Sequence, residues 1–281
     1  MRNRTKCARR SGHRLLTLAL GAALITGIGA AATPSVFAAI GRHASQAENA
    51  AQSDQASIKA AYEALNAMGK TLASQQKLAY DLKMVTDVIT GKGKKMAVNG
   101  TASVRFERPD HLFVDLKTDT MERQFYHDGN QFTVIAKKDG YYGQLPASAS
   151  TREVLISTAK DYGIEIPVVD LLEWGTPEAR NIDLKKAKRV GETTLDGKPV
   201  EHWALHSGGL DWEIWITTGE KRLPMKLITT NNHLPEKPQF TAEVRWRDAS
   251  SFNDTMFSPH LSSDLKPITF NKMQPAPEAG Q

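Results

Sequence analysis

Residues 102–116 read Ala-Ser-Val-Arg-Phe-Glu-Arg-Pro-Asp-His-Leu-Phe-Val-Asp-Leu, with apolar side chains at every second position on both sides of a Pro-Asp pair. Alternation with a period of two is typical of a β-strand that buries one face. Proline cannot donate to a β-ladder and favours a turn, so Pro109 separates two strands. The segment therefore predicts an antiparallel hairpin whose apolar face carries Val104, Phe106, Leu112, Val114 and Leu116.

The same alternation continues on both sides of this hairpin. Residues 80–88 predict a preceding strand, and an Asp-Gly turn at Asp128-Gly129 joins two further strands. A second set of alternating segments begins at Lys188 and includes residues 212–216 and 242–247. We count nine to eleven strands, nearly all joined by short antiparallel connections. A twisted open sheet of this width must close or curl.

Helical spacing marks three segments. Apolar residues predict an amphipathic helix over residues 58–72, bent near Gly69. Between the two strand-rich halves, capping and turn signals predict a helix over 151–161 and a short helix over 167–174. The sequence thus predicts a mainly β protein with α-helices, an α+β fold.

The N-terminal segment predicts export. Residues 2–14 contain six basic residues and no acidic one, and an uncharged stretch follows over residues 15–32. Val36-Phe37-Ala38 places compact residues where a signal peptidase cuts, so we expect a signal peptide over residues 1–38 and a periplasmic location. The alternative is an uncleaved membrane anchor, since the stretch approaches the length of a spanning helix. Arg9-Arg10 leaves both Sec and twin-arginine export open.

Removing this segment changes the charge of the protein. The full chain has 36 basic and 31 acidic residues and a net charge of +5, but six of the basic residues and none of the acidic ones lie in residues 1–38. The mature chain therefore carries about one excess negative charge, and no basic surface that would favour nucleic acid is expected. Cys7, the only cysteine, leaves with the signal peptide, which removes thiol and disulfide chemistry.

The remaining chain is predicted to form one domain with two loose ends. Residues 39–57 are rich in Ala, Gln and Ser without apolar spacing, and we expect a flexible lead-in there. Residues 58–265 have an ordinary length for one large β domain. Residues 266–281 contain a Pro-Ala-Pro sequence and are predicted to be a disordered tail.

Patterns for catalysis and metal binding are weak. No Gly-x-Ser-x-Gly motif occurs. His202 and His206 lie four apart on a predicted strand, about 13 Å from one another, which is too far to hold one metal ion between them. Asp211 and Glu213 fit the solvated face of their strand. We therefore expect no enzyme activity, no cofactor and no metal.

Several motifs in the same order resemble the LolA/LolB-like superfamily of periplasmic lipoprotein carriers. They are Val104-Arg105-Phe106-Glu107-Arg108-Pro109, the strand after it, and the hairpin around Tyr126-His127-Asp128-Gly129-Asn130. Residues 166–172 and 211–216, followed by Leu223-Pro224-Met225-Lys226, are more specifically similar to an uncharacterised branch of predicted periplasmic proteins. The resemblance covers about residues 58–260.

The resemblance implies an unclosed, strongly curved antiparallel half-barrel with helices covering the concave face over an apolar cavity for acyl chains. In the carriers the arginine of the Arg-Pro pair points inward and helps to hold the helical lid closed, and it corresponds here to Arg108. The longer helical section in the middle and the Trp-rich second half depart from the carriers. We therefore leave the cargo unspecified.

We predict a periplasmic, non-catalytic binding or carrier protein for an apolar or lipid-like ligand. Alternation does not separate a packed core from a cavity, so the alternative is a structural or assembly protein of the envelope whose cavity is filled by its own helices. Envelope proteins or a membrane surface would be transient partners, and nucleic acid is not expected. The predicted ligand-binding residues are Val104, Phe106, Arg108, Leu112, Val114, Leu116, Trp212, Ile214, Ile216 and Trp246.

Overall fold

A computed structural model of the chain describes residues 35–176, 182–250 and 252–273. The chain separates into two compact units, residues 1–47 and 48–281. The described part of the first unit is helical, and all described strands belong to the second. Among the described residues no helix is both long and apolar enough to cross a membrane. The predicted signal peptide lies almost entirely outside the described residues.

One sheet contains all twelve strands of the described residues. They are β1 (Lys77–Ile89), β2 (Lys95–Glu107), β3 (His111–Thr118), β4 (Glu122–Asp128), β5 (Gln131–Ala136), β6 (Tyr141–Pro146), β7 (Lys186–Leu195), β8 (Lys198–Ser207), β9 (Leu210–Thr217), β10 (Pro224–Asn231), β11 (Gln239–Trp246) and β12 (Lys266–Ile268). Their order across the sheet is β12-β6-β5-β4-β3-β2-β1-β11-β10-β9-β8-β7, so the sheet does not close on itself. The predicted α+β fold with an unclosed, curved antiparallel half-barrel is confirmed.

Two antiparallel meanders make up this sheet. Strands β1 to β6 pair in sequence order, strands β7 to β11 do the same, and antiparallel pairing of β1 with β11 joins the two sets. In that pairing Tyr80 lies opposite Trp246, and Met84 lies opposite Ala242. Strand β12 is an exception to the antiparallel pattern, because it pairs with β6 in parallel.

Strand register places the alternating apolar residues on one face of the sheet. Phe106 lies opposite Leu112, and Val104 lies opposite Val114. Because side chains alternate across a strand, matched parity on successive strands produces a continuous apolar face. We call this surface the concave face. It includes Leu82, Val104, Phe106, Leu112, Val114, Leu116, Trp203, Leu205, Trp212, Ile214, Ile216, Ala242 and Val244.

In the described ranges, three α-helices accompany the sheet: α1 (Ser35–Ala73), α2 (Thr151–Tyr162) and α3 (Asp170–Glu173). Two 3-10 turns there span Lys137–Asp139 and Asp254–Phe257. Helix α2 begins with a capping box. The Ser150 hydroxyl accepts from the backbone N–H of Glu153, and the Glu153 carboxylate accepts from the backbone N–H of Ser150. Gly163 ends this helix in the left-handed conformation, with φ of 66°. The structure therefore confirms the helix predicted over 151–161.

Helix α1 differs from the prediction in two ways. It begins at Ser35, so the residues expected as a flexible lead-in, 39–57, are helical. This agrees with the high helix propensity of the Ala, Gln and Glu residues there. The helix also runs unbroken through Gly69 to its end. A Cβ at Gly69 would lie 2.8 Å from the Cα of Gly175, so this glycine permits a close approach of two backbones and does not bend the helix.

The predicted disordered tail, residues 266–281, is partly ordered. It contains β12, and the ring of Phe270 lies against Gly143 of β6. The Lys272 ammonium lies 2.8 Å from a carboxylate oxygen of Asp161 near the end of α2. Aromatic packing and strand pairing therefore anchor a segment whose Pro-rich end suggested disorder. Its last eight residues lie outside the described part of the chain.

Candidate functional site

The structure brings the predicted apolar residues together. Trp212 is 5% exposed, and at most 1% of the surface is exposed for Val104, Phe106, Leu112, Val114, Leu116, Ile214 and Ile216. All eight belong to one hydrophobic core. Trp246 is half-buried at the margin of this core, and its indole N–H donates to the carbonyl of Pro224 at 2.8 Å. The predicted parity is correct, whereas ligand binding by these residues remains a prediction.

Helices of the protein itself cover the concave face. Helix α1 contributes Ala61, Leu65, Met68 and Leu72 to the shared core. We call residues 150–175 the lid; this segment contains α2 and α3, and adds Val154, Leu171 and Leu172 to the same core. The concave face is therefore closed in this conformation.

Arg108 connects three parts of the closed structure. Its Nε donates to the carbonyl of Gln75, just beyond α1, at 3.1 Å. Its Nη2 donates to the carbonyl of Leu172 in the lid at 2.6 Å. The guanidinium also lies 5.2 Å from the centroid of the Phe106 ring, at a cation–π distance. The position expected from the resemblance, against the lid, is the position that Arg108 occupies.

A second polar contact holds the lid next to a strained residue. The Tyr80 hydroxyl donates to the carbonyl of Val168 at 3.3 Å. Burial raises the pKa of Tyr80 well above its ordinary value, and the nearby carboxylate of Asp170 raises it further, so the phenol is protonated and able to donate. Val168 has φ of 63°, which is unfavourable for a β-branched residue. This conformation delays the start of α3 from the predicted Pro167 to Asp170.

The far end of the lid lies directly on α1. Gly175 has φ of 82°, and a Cβ built on it would lie 2.2 Å from the carbonyl carbon of Gly69. Two backbones approach this closely only where neither residue has a side chain. The pair of glycines therefore fixes how far the lid closes onto α1.

A buried histidine anchors the beginning of the lid. His127 in β4 has no exposed surface, and its Nε2 lies 3.0 Å from the carbonyl oxygen of Ala147. The carbonyl requires a donor, which assigns the proton to Nε2, so Nδ1 accepts from the Thr151 hydroxyl at 3.0 Å. Burial lowers the pKa of His127 below its ordinary value, although the Ala147 hydrogen bond and the nearby carboxylates of Asp110 and Asp128 raise it. The ring is therefore neutral at pH 7.

Two open pockets of about 460 Å³ each lie beside this closed core. The first pocket is lined in part by Leu205 of β8, Trp212 of β9 and Asp54 of α1. Thr71 and Trp246 contribute to the lining of the second. Among the predicted ligand-binding residues, Trp212 and Trp246 therefore border open space, Arg108 is partly exposed, and the seven others are enclosed by protein.

The two histidines of β8 each contact a separate carboxylate. His202 Nε2 lies 2.7 Å from Glu213, and its ring stacks on Trp215 at 3.9 Å between centroids. His206 Nδ1 lies 2.5 Å from Asp211. Across the ranges that the structure describes, no three His, Cys, Asp or Glu residues are arranged to hold a metal ion. These contacts are cross-strand pairs of the kind that stabilise sheets.

Several residues of the closed site were not identified from the sequence. Tyr80 and Trp203 have the same parity as the apolar residues of their strands, and that alternation was a usable signal. His127 stands beside the Asp128-Gly129 turn, so its sequence position indicates a hairpin residue and gives no sign of its contact with Thr151. The strained backbone of Val168 has no signature in sequence, because β-branched residues rarely adopt positive φ.

The family model described as "Predicted periplasmic protein (DUF2092)" matches residues 61–271. This match agrees with the resemblance to a branch of predicted periplasmic proteins and with the expected location. No curated protein matches the chain.

Solved structures are similar to the chain at low identity. Lipoprotein LppX from Mycobacterium tuberculosis is 12% identical, with a TM-score of 0.41 over 68% of this chain and 98% of that chain. LprF from Mycobacterium bovis is 8% identical, with a TM-score of 0.39 over 68% and 93% of the two chains. A LolA superfamily protein from Nitrosomonas europaea is 9% identical, with a TM-score of 0.31 over 70% and 97%.

The matched segment includes all eleven antiparallel strands, the lid and the end of α1 that covers the concave face. It spans well over half of the chain. The chain therefore belongs to the DUF2092 family of predicted periplasmic proteins, and its location is periplasmic.

Proposed function

We propose that the protein is a non-catalytic binding or carrier protein for an apolar or lipid-like ligand, which occupies the concave face when the lid opens. The observation that carries the proposal is how the lid is held. It closes a continuous apolar surface, and hydrogen bonds from Arg108 to Leu172 and from Tyr80 to Val168 attach α3 and the residues just before it. Envelope proteins or a membrane surface are the expected transient partners for loading and delivery.

The polar attachments of the lid are suited to reversible opening. Arg108 and Tyr80 donate to backbone carbonyls, and water can satisfy both partners once the lid moves away. The net contribution of such a hydrogen bond is only about 0.5–1.5 kcal/mol, or about 1.5–3 kcal/mol when one group is charged. The conformation of Val168 costs the closed state about 1–3 kcal/mol, which offsets part of that contribution.

A long acyl chain can replace the apolar contacts of the lid. Leu171 and Leu172 are buried against the concave face, and burial of one such side chain contributes about 1.5–3 kcal/mol. A ligand contributes about 0.8 kcal/mol for each buried methylene, so about ten methylenes exceed the loss of both leucines. Exchange of the lid for a long chain is therefore feasible in free energy, whereas exchange for a short one is not.

A second candidate is a structural or assembly role in the envelope. The observation that favours it is the extent to which α1 and the lid already fill the concave face, with Phe106 and Val114 almost fully buried. In this alternative the lid stays closed, and the protein contacts other envelope components through its outer surface.

Native mass spectrometry of protein purified from the periplasm tests the proposal. Co-purified lipid, or uptake of a fluorescent fatty acid by the stripped protein, is the expected result. A clean apo mass combined with no uptake would favour the structural role.

The substitution Arg108→Lys tests whether Arg108 controls opening of the lid, without a large change in the fold. Lysine keeps the charge but cannot bridge Gln75 and Leu172 with one planar group, so we expect several-fold faster uptake in stopped-flow fluorescence. Arg123→Lys is the matched control. Arg123 forms an ion pair with Asp139 at 2.8 Å, and neither residue belongs to the lid. Equal uptake rates for both variants and the wild type would contradict the gating role of Arg108.

A further inference from the structure

Among the described residues, four buried side-chain polar atoms have no hydrogen-bond partner. They are Trp203 Nε1, Trp212 Nε1, Arg222 Nε and Glu201 Oε1, of which the last is in ion-pair contact with another guanidinium nitrogen of Arg222. All four come from β8, β9 or the turn that follows β9. Buried polar groups are almost always hydrogen-bonded, so a group of exceptions in one place requires an explanation.

The two charged residues of this group already have a partner in each other. A guanidinium nitrogen of Arg222 forms an ion pair with Glu201, whose second oxygen lies 3.4 Å from Arg189. Arg189 also pairs with the exposed Glu192. The charges of Glu201 and Arg222 therefore compensate one another. The indole N–H groups of Trp203 and Trp212 remain as buried donors without an acceptor.

Trp203 and Trp212 are diagonal neighbours on the concave face. Trp203 lies opposite Ile214, and Trp212 lies opposite Leu205, on adjacent antiparallel strands. The two tryptophans are 4% and 5% exposed, and both belong to the core. Residues in this relation are close enough for large aromatic side chains to meet.

Other tryptophans show that this arrangement is specific to the pair. The Trp246 indole donates to the Pro224 carbonyl at 2.8 Å. Trp215 lies on the opposite face of β9, where its ring stacks on His202. Buried indole N–H groups usually find an acceptor, and among these tryptophans only Trp203 and Trp212 are buried without one.

Access to the pair is controlled by the lid and by an open pocket. The ring of Trp174, at the end of α3, lies 6.0 Å from the ring of Trp212. The pocket of about 460 Å³ beside β8 and β9 is lined in part by Trp212 and Leu205. A ligand that displaces Trp174 or enters from this pocket would therefore meet Trp212 first, and then Trp203, its diagonal neighbour.

We propose that Trp203 and Trp212 form a polar subsite that binds an oxygen acceptor of the ligand, while its apolar chain lies along the concave face. The inference rests on the proposed binding function and narrows the ligand to an amphiphile with a carboxylate or ester oxygen. An indole donates and does not accept, so a head group without an acceptor gains nothing there.

The test measures affinity for palmitate, methyl palmitate, hexadecyltrimethylammonium and the apolar dye N-phenyl-1-naphthylamine. Trp203→Phe and Trp212→Phe remove the N–H and keep an aromatic ring. We expect each variant to weaken palmitate binding about tenfold, the double variant to weaken it more, and dye binding to stay within about twofold. Trp215→Phe, on the opposite face, is the matched control. Comparison of palmitate with its methyl ester distinguishes a carboxylate subsite from an ester subsite.

Several results would overturn the subsite. Unchanged palmitate affinity in the double variant, or parallel loss of dye and palmitate, would show that the rings act by packing alone. A wild-type protein that binds the dye but does not prefer palmitate to the ammonium amphiphile would refute the subsite while leaving the proposed function intact. A wild-type protein that binds no probe would refute both.

A measurement on the wild type covers the case in which the variants do not fold. Indole ¹⁵N–¹H spectra should show two of the five tryptophan signals moving downfield when palmitate is added, because a new acceptor deshields the proton. Indole signals that all stay in place at saturating palmitate would refute the subsite.

Discussion

Val168 is the residue at which the closed lid is under the most evident conformational strain. Its φ of 63° is unfavourable for valine, yet its carbonyl accepts from Tyr80 and its side chain packs against the core. Glycine adopts this conformation freely but loses the side chain. Val169, with φ of −67°, offers a matched comparison, because it is also half-buried against the core.

We therefore expect Val168→Gly to be less destabilising than Val169→Gly by about 1–2 kcal/mol. Urea denaturation of both variants measures the difference. If the two variants lose equal stability, strain at Val168 does not contribute to lid opening.

His127 makes the attachment of the lid sensitive to pH. Burial lowers its pKa in the folded state, while the unfolded chain has the ordinary value near about 6.5. As pH falls below about 6.5, the unfolded chain takes up a proton that the folded chain resists, and stability falls by up to about 1.4 kcal/mol per pH unit. Above about 6.5 both states are neutral and the full contribution of this residue is present.

His127→Gln should remove this part of the pH dependence, because Gln can donate and accept without titrating. The groups that influence the histidine, Asp110, Asp128 and His111, remain in the variant. Denaturation series at pH about 7.5, 6.5 and 5.5 compare the two proteins. Parallel curves for wild type and variant would rule out His127 as the titrating group.

Between elements, the contact of α1 with the lid is set by backbone atoms. Gly69→Ala would improve helix propensity by about 0.5–1 kcal/mol in an isolated helix. Here the new Cβ would meet the Cα of Gly175 at 2.8 Å, and overpacking of this kind costs about 1–3 kcal/mol. We expect a net loss of stability and faster amide hydrogen exchange in α3, because the lid must move away from α1.

Gly219→Ala is the control for this substitution, since nothing lies within 4 Å of a Cβ at that position. Its stability and exchange should stay close to those of the wild type. An increase in stability for Gly69→Ala would mean that the lid adjusts without cost and that the glycine contact does not limit closure.

For the whole molecule, the ordered part of the tail protects an edge of the sheet. Strand β12 covers β6, and Lys272 pairs with Asp161 at the end of α2. Deleting residues 266–281 should leave the outer edge of β6 unpaired, while β5 still pairs with its other edge, and an unpaired edge favours association between sheets. We expect light scattering to show oligomers and hydrogen exchange to rise in β6. Deleting residues 274–281 alone is the control and should change neither; equal behaviour of the two truncations would argue against a protective tail.

Features that depend on residues close together in the sequence could be predicted, whereas contacts between distant segments could not. Alternation around Val104 and Leu112, the capping signals of α2 and the parity of Trp212 are local, and they predicted the strands, the helix and the concave face correctly. Residues 39–57 lack the apolar spacing that predicts an amphipathic helix, yet they are helical, because Ala, Gln and Glu have high helix propensity. The contacts that close the lid, such as Gly69 with Gly175, join distant segments and leave no local pattern. Arg108 could be placed only through the resemblance.

The antiparallel pairing of β1 with β11 determines when the protein can finish folding. Tyr80 pairs with Trp246, so the central ladder forms only after nearly all of the domain is available. Contacts of such high sequence separation slow folding, because a long loop must close before the contact stabilises anything. Until β11 arrives, the first meander has an unpaired edge at β1, which is prone to pairing with other chains. Because a ribosome makes the chain from its N-terminus, β1 exists before β11, and the order of the strands in the sequence imposes this aggregation-prone interval.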